Sequence, residues 1–297
     1  MRFAGGKNVL LLSFMTILFG LSFIATKQAL EGLGIFQVVF FRHIIALVIL
    51  TGLVWKQREK LYIAQRDRWH FLVLTLIEPV GYFIFETAGV RYTSPSMVSI
   101  IIATIPVFSL IFGFWMLKEK AHPVAFAGIL ISLLGVYFVV SMQSESFLAP
   151  NPLLGNLMTL GAAISAGLYN ALCRRLTRTY SPWTITYYQA IVASLAFFPF
   201  MIIESITMPP NIIDWKIGTS VFYLAAGSSV GAYLILNYSL SRLPTYQVAT
   251  FANLIPVVTI SASWLVYNEL LSGSQFGGAF IVIVGIFLVY YRKPNQA

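Results

Sequence analysis

Four ionisable residues lie inside long apolar stretches of this 297-residue chain: Lys27, Arg42, Glu78 and Glu86. A charge at the centre of a bilayer costs at least ~2.5 kcal/mol and is kept where it faces a bundle interior, water or an opposite charge. Such a set suits two kinds of chemistry: binding of a charged or zwitterionic solute, or mutual pairing that fixes helix register. Lys27 also reads as a side chain that snorkels to the membrane surface. Glu78, Tyr82 and Glu86 fall at i, i+4 and i+8. On a continuous helix they make one polar stripe, with the carboxylates roughly 12 Å apart along the axis. Carboxylates inside a bundle are common members of proton relays, so Glu78 and Glu86 are the proton-coupling candidates.

Neutral groups complete the set. Tyr169, Asn170, Tyr187, Tyr188, Gln189, Tyr233, Asn237 and Asn253 lie in apolar stretches further along the chain. Rings take the apolar part of an amphipathic solute and amides orient it, although the same groups also join neighbouring helices. The predicted substrate-binding residues are Arg42, Tyr82, Glu86, Tyr188, Gln189 and Asn237. His43 points away from Arg42, and His70 and His122 lie at the ends of apolar runs, so no metal site is predicted. Cys173 is the single cysteine, which leaves no disulfide within the chain. There is no nucleotide loop, no His pair at ligand spacing and no Asp-rich motif. The sequence therefore predicts no enzyme and no cofactor. The alternatives are a membrane-embedded enzyme or lipid-modifying protein, a channel or scaffold, and an exchanger of sugar- or nucleotide-type solutes.

The elements that must position these residues are apolar helices. Hydrophobic residues make up 58% of the chain and charged ones 10%, more apolar surface than a soluble core of this size hides. Ten apolar runs stand out, near 8–30, 35–55, 69–90, 94–117, 123–141, 153–173, 182–203, 216–240, 245–268 and 274–291. Each approaches the ~20 residues that cross ~30 Å of hydrocarbon, and their continuity argues against a β-barrel. The net charge of +9 does not point to nucleic acid, because the basic residues gather in alternate loops. Those loops include Lys56, Arg58, Lys60, Arg66 and Arg68, then Lys118 and Lys120, then Arg174, Arg175 and Arg178. By the positive-inside rule these loops and both termini are cytoplasmic. The predicted location is the inner membrane of a bacterial cell, with a small-molecule substrate as partner and a homodimer as the open oligomeric alternative.

The chain also repeats itself. Pro106, Glu119, Gly128 and Gly135 return 150 residues later as Pro256, Glu269, Gly278 and Gly285. Upstream the offset is 147: Lys27 answers Arg174, and Phe41-Arg42 answers Tyr188-Gln189. Five spans per copy is an odd number, so the second copy enters the membrane from the opposite side. The predicted fold is all-α and integral to the membrane, with ten transmembrane helices as two inverted five-helix repeats. The first repeat occupies 1–141, a periplasmic linker 142–152, and the second repeat 153–297. Internal repeats of this kind mark transporters whose halves move about a central site. Pro106 and Pro256 remove symmetry-related backbone hydrogen bonds and are the gating candidates. Gly227-Ser228-Ser229-Val230-Gly231 reads as a small-residue packing run, and Glu119 and Glu269 as groups that cap or close a mouth.

Phe19-Gly20 with Phe23-Ile24-Ala25-Thr26-Lys27, Phe41-Arg42, and Pro106 with Leu117-Lys118-Glu119, Gly128 and Gly135 form a joint pattern, echoed by Pro256 and Glu269. It resembles the EamA branch of the drug/metabolite transporter superfamily over nearly the whole chain. Phe19 stands where that branch has Trp, as does Ala166 in the second copy, and Gln189 stands where Arg42 would repeat. The resemblance implies export or exchange of a small metabolite, without naming the cargo.

Overall fold

The structure, a computed structural model, describes residues 6–58, 61–117, 123–141, 145–210, 214–243, 248 and 251–289. These are nearly all helix, with one isolated bridge between Ser146 and Ala149 as the extended pairing among them. Seven helical stretches are long and apolar enough to cross a membrane: Asn8–Ala29, Ile35–Gln57, Gln65–Tyr92, Pro95–Met116, Pro152–Leu176, Pro182–Thr207 and Trp215–Arg242. Shorter apolar helices cover Ala127–Phe138, Ile255–Tyr267 and Gly273–Gly285. Large apolar side chains such as Trp55, Trp115, Leu195 and Phe280 are more than half exposed, as lipid-facing residues are.

Helices α1 (Gly6–Ala29) and α2 (Ile35–Gln57) run unbroken. The third stretch does not: α3 (Arg68–Thr75) passes through a π-helical segment, Leu76–Gly81, into α4 (Tyr82–Tyr92). Inside that segment Glu78 has φ −147° and ψ 115°, an extended conformation. Pro79 is the cause, since a proline ring crowds the preceding residue out of the α region. The polar stripe expected on a continuous helix is therefore interrupted. Tyr82 and Glu86 keep their i, i+4 relation on α4, while Glu78 leaves the register.

The chain breaks its helices at three further places, which with the first make two matched pairs. Ala103 and Thr104 form a turn between α5 (Pro95–Ile102) and α6 (Ile105–Leu117). After α7 (Pro123–Ser141), α8 (Pro152–Leu176), α9 (Pro182–Thr207) and α10 (Trp215–Tyr223), a second π-helical segment, Leu224–Ala232, leads into α11 (Tyr233–Arg242). Asn253 and Leu254 then form a turn just before α12 (Ile255–Tyr267), and α13 (Gly273–Val289) follows. Pro106 and Pro256 are thus the second residues of α6 and α12. A first-turn N–H has no helical partner to lose, so proline is tolerated there. Both prolines begin a new helical segment rather than bend the middle of a continuous one.

The main packing pairs are α1 with α12, α2 with α9, α4 and α6 with α8, and α7 with α13. The α7 and α13 backbones approach closely. A Cβ at Gly285 would lie 2.3 Å from the Ser132 amide nitrogen, and one at Gly135 would lie 2.6 Å from that of Val282. Only glycine allows backbones this near.

Candidate functional site

A cavity of about 70 Å³ opens where these breaks converge. Its walls include Phe19 and Phe23 of α1, Glu78 of the first π-helical segment, Tyr82 of α4, Asn170 of α8 and Tyr233 of α11. Ile105 and Ile255, the residues before Pro106 and Pro256, also face it. The space matches roughly five to seven water molecules at the 10–15 Å³ each requires. Phe19 meets Tyr233 edge-on, with ring centroids 5.4 Å apart.

Glu78 is the only charged residue lining this cavity among the described residues. It is 3% exposed. The Tyr233 hydroxyl donates to Oε1, and the Glu78 backbone carbonyl accepts from Gln189 Nε2 at 3.3 Å. Oε2 has no hydrogen-bond partner among the described residues. Glu78 sits at the break before Pro79, and its carboxylate faces the cavity.

Arg42 lies behind this wall, buried. Its Nε donates to Ser229 Oγ and its Nη2 to Ser228 Oγ, both at 3.1 Å, and its guanidinium carbon stands 4.2 Å from the centroid of Phe83. Glu86 is within electrostatic reach of Arg42 and accepts from Thr87 Oγ1 at 2.9 Å. The ion pairs within 4 Å among the described residues are Arg66–Asp67 and His70–Asp67, so Arg42 and Glu86 do not touch directly. Hydroxyl groups from the far half of the chain, and a ring face, hold the arginine instead.

A second polar cluster sits at the matched place in the other half. Asn237 is fully buried; its Oδ1 accepts from the Tyr169 hydroxyl at 2.6 Å and from Cys173 Sγ at 3.3 Å. Its Nδ2 donates to Thr186 Oγ1 at 2.9 Å and to Gln189 Oε1 at 3.3 Å. Every member is uncharged, and the amides satisfy one another. A smaller cavity of about 10 Å³, lined by Gln189, Thr186, Ser229 and Tyr233 among others, lies between the two clusters.

Of the residues expected from the sequence, Glu78 and Tyr82 face the main cavity and Gln189 the smaller one. Arg42, Glu86 and Asn237 are buried behind the walls. Tyr188 lines neither cavity and packs against Phe71, with ring centroids 6.0 Å apart. Lys27 does not join the acidic residues. Its Nζ donates to the carbonyls of Val90, Arg91, Thr93 and Leu148 at 2.6–3.3 Å, closing the carboxyl end of α4. Arg174 does the same at the end of α11, donating to the carbonyls of Leu240 and Leu243. Val90 and Thr93 precede Leu240 and Leu243 by 150 residues, and Lys27 precedes Arg174 by 147. Glu269 accepts from Ser96 Oγ at 2.7 Å and from Ser263 Oγ, tying α5 to the end of α12. Glu119, Lys118, Lys120 and His122 lie outside the described residues.

Sequence reasoning missed Ser228 and Ser229 as partners of Arg42, having assigned them to packing. The available signal was that Ser228 falls 150 residues after Glu78, at a place where the first half carries a charge. It missed the break at Glu78 as well, where Pro79 was the signal.

Seven apolar helical stretches long enough to cross a membrane, packed around a cavity that a buried charge faces, have the make-up of a multi-pass membrane protein. The sequence model of the EamA-like transporter family matches residues 6–141 and 153–291, and the chain belongs to that family. It is 27% identical over 283 residues to the uncharacterized transporter YcxC of Bacillus subtilis, covering 91% of this chain and 88% of that one. It is 23% identical to the probable amino-acid metabolite efflux pump of Escherichia coli, covering 95% and 94% of the two chains. A solved crystal structure superposes with a TM-score of 0.71 at 16% identity, over 97% of each chain, and supports the fold.

Proposed function

We propose that this protein is a secondary transporter that exports or exchanges a small amino acid-like or amphipathic metabolite by alternating access. One observation carries the reading: the central cavity lies between the two halves, beside four helix interruptions that fall in matched pairs. Interrupted helices around a central site are the usual architecture of such transporters. In this reading ten helices cross the membrane as two inverted five-helix repeats, 1–141 and 153–297, joined by a periplasmic linker at 142–152. Both termini are cytoplasmic, in a bacterial inner membrane. The turns before Pro106 and Pro256 are the flexing points of the gate, and Ile105 and Ile255 carry their movement to the cavity wall. Glu78 is the proton-coupling group, since it has a free carboxylate oxygen at the cavity. The relative named as an amino-acid metabolite efflux pump supports a solute of that size. The names of the relatives, transporters and an efflux pump, favour a transporter over an enzyme.

Comparing the metabolites retained by loaded vesicles with and without the protein tests transport; identical contents would overturn it. Reporter fusions after residues 60, 148, 178 and 210 test the inverted arrangement, which requires inside, outside, inside and outside. Glu78→Gln should abolish the pH dependence of flux; a retained dependence would assign coupling to another group.

A further inference from the structure

We propose that the solute is a small organic amine, bound as a monocation with its ammonium on Glu78 and its apolar body among the rings of Phe19, Phe23, Tyr82 and Tyr233. The inference rests on the reading of the central cavity as the transport site. Four observations carry it.

The first is charge. Glu78 is the only ionisable acid or base lining the cavity apart from tyrosines, and no Lys or Arg nitrogen lies within 4 Å of it among the described residues. A cavity with one anion and no cation has a place for an ammonium group and none for a carboxylate. Arg42 does not line the cavity; it commits Nε and Nη2 to Ser229 and Ser228, and its Nη1 is buried without a partner among the described residues. The second is hydrogen bonding. Oε1 of Glu78 is satisfied by Tyr233 while Oε2 is buried and unpartnered. A buried carboxylate oxygen in that state calls for a donor, and an ammonium group supplies three.

The third is the character of the walls. Four aromatic residues, Phe19, Phe23, Tyr82 and Tyr233, line the cavity with Glu78, and ring faces attract cations in addition to covering apolar surface. The remaining lining is aliphatic or small, with Asn170 as the other strong hydrogen-bonding group. The fourth is size. A cavity of about 70 Å³ holds roughly five to seven water-sized groups, which fits an amine of about six heavy atoms. These features select against an intact amino acid, whose carboxylate would face Glu78 or a ring without a counter-ion.

The test compares three probes with one apolar body and three head groups: isoamylamine, leucine and isovalerate. Binding to the purified full chain in lipid nanodiscs is measured by calorimetry. Isoamylamine should bind at least about tenfold more tightly than either of the others, the size of effect expected from one charge-assisted hydrogen bond. Glu78→Gln should lose that preference and Glu78→Asp should keep part of it, with folding checked by thermal melting. Should Glu78→Gln fail to fold, the three-probe series on the unaltered protein decides by itself. Leucine or isovalerate binding as tightly as the amine, no binding by any probe, or undiminished amine binding by folded Glu78→Gln would each overturn the inference. Metabolite transport in vesicles alongside such a result would leave the transporter reading intact and refute the amine alone.

Discussion

The surroundings of Arg42 and Gln189 are the same place built twice with different chemistry. Arg42 on α2 reaches across to the π-helical segment of the second half and donates to Ser228 and Ser229. Gln189, on α9 and 147 residues later, reaches across to the π-helical segment of the first half and donates to the Glu78 carbonyl. One contact carries a buried positive charge and the other none. Around Arg42 the neighbours are a ring face and the Glu86 carboxylate. Around Gln189 they are hydroxyl and amide groups that satisfy one another. The scaffold therefore does not dictate where charge goes; it offers two equivalent sites, and the side chains decide.

If that contrast is real, removing the arginine should hurt most. Arg42→Met leaves Glu86 buried without a compensating charge, and a loss of about 3–5 kcal/mol is expected, read as a lowered melting temperature in detergent. Arg42→Met with Glu86→Met should recover much of it; no recovery would mean that the two charges do not sense each other. The matched change, Gln189→Met, removes only neutral hydrogen bonds and should cost about 1–3 kcal/mol. Equal damage at 42 and 189 would break the comparison. Ser228→Ala and Ser229→Ala each remove one hydroxyl from the guanidinium and should cost about 1.5–3 kcal/mol, with the double change approaching Arg42→Met only if these hydroxyls are its main support. Least affected should be the two cations that close helix ends. Exchanging them, as Lys27→Arg with Arg174→Lys, should shift stability by less than about 1 kcal/mol, because each only donates to carbonyls; a larger loss would show that the two ends are not equivalent.

The apolar runs made most of the helices legible in the sequence, since length and hydropathy alone mark them. The repeat offset was legible too; Lys27 and Arg174 each close a helix end, and Pro106 and Pro256 are each the second residue of a helix. What those pairs do was not. A lysine in an apolar run carries no sign that carbonyls rather than carboxylates await it, because that depends on where α4 ends beside it. Glu78, Tyr82 and Glu86 looked like one face because regular helix geometry was assumed, and Pro79 undid it. The partnership of Arg42 with Ser228 and Ser229 spans 186 and 187 residues. No local pattern records such a contact; only folding brings the halves together. Tyr188 was chosen as a ring for the apolar part of a solute, whereas its side chain turns toward Phe71.

The crossed reach of positions 42 and 189 also says something about why the two halves share one polypeptide. Position 42 faces 228 as position 189 faces 78. In a pair of identical chains, whichever residue stood at 42 would stand at 189, and whichever stood at 78 would stand at 228. An arginine at 189 would then bring a positive charge beside residue 78, whose carboxylate has no Lys or Arg nitrogen within 4 Å among the described residues. A single polypeptide carries no such constraint. With a glutamine at 189 and a serine at 228, neither the arginine nor the glutamate of the first half meets an opposite charge at its matched place, and the Glu78 carboxylate stays open to the cavity.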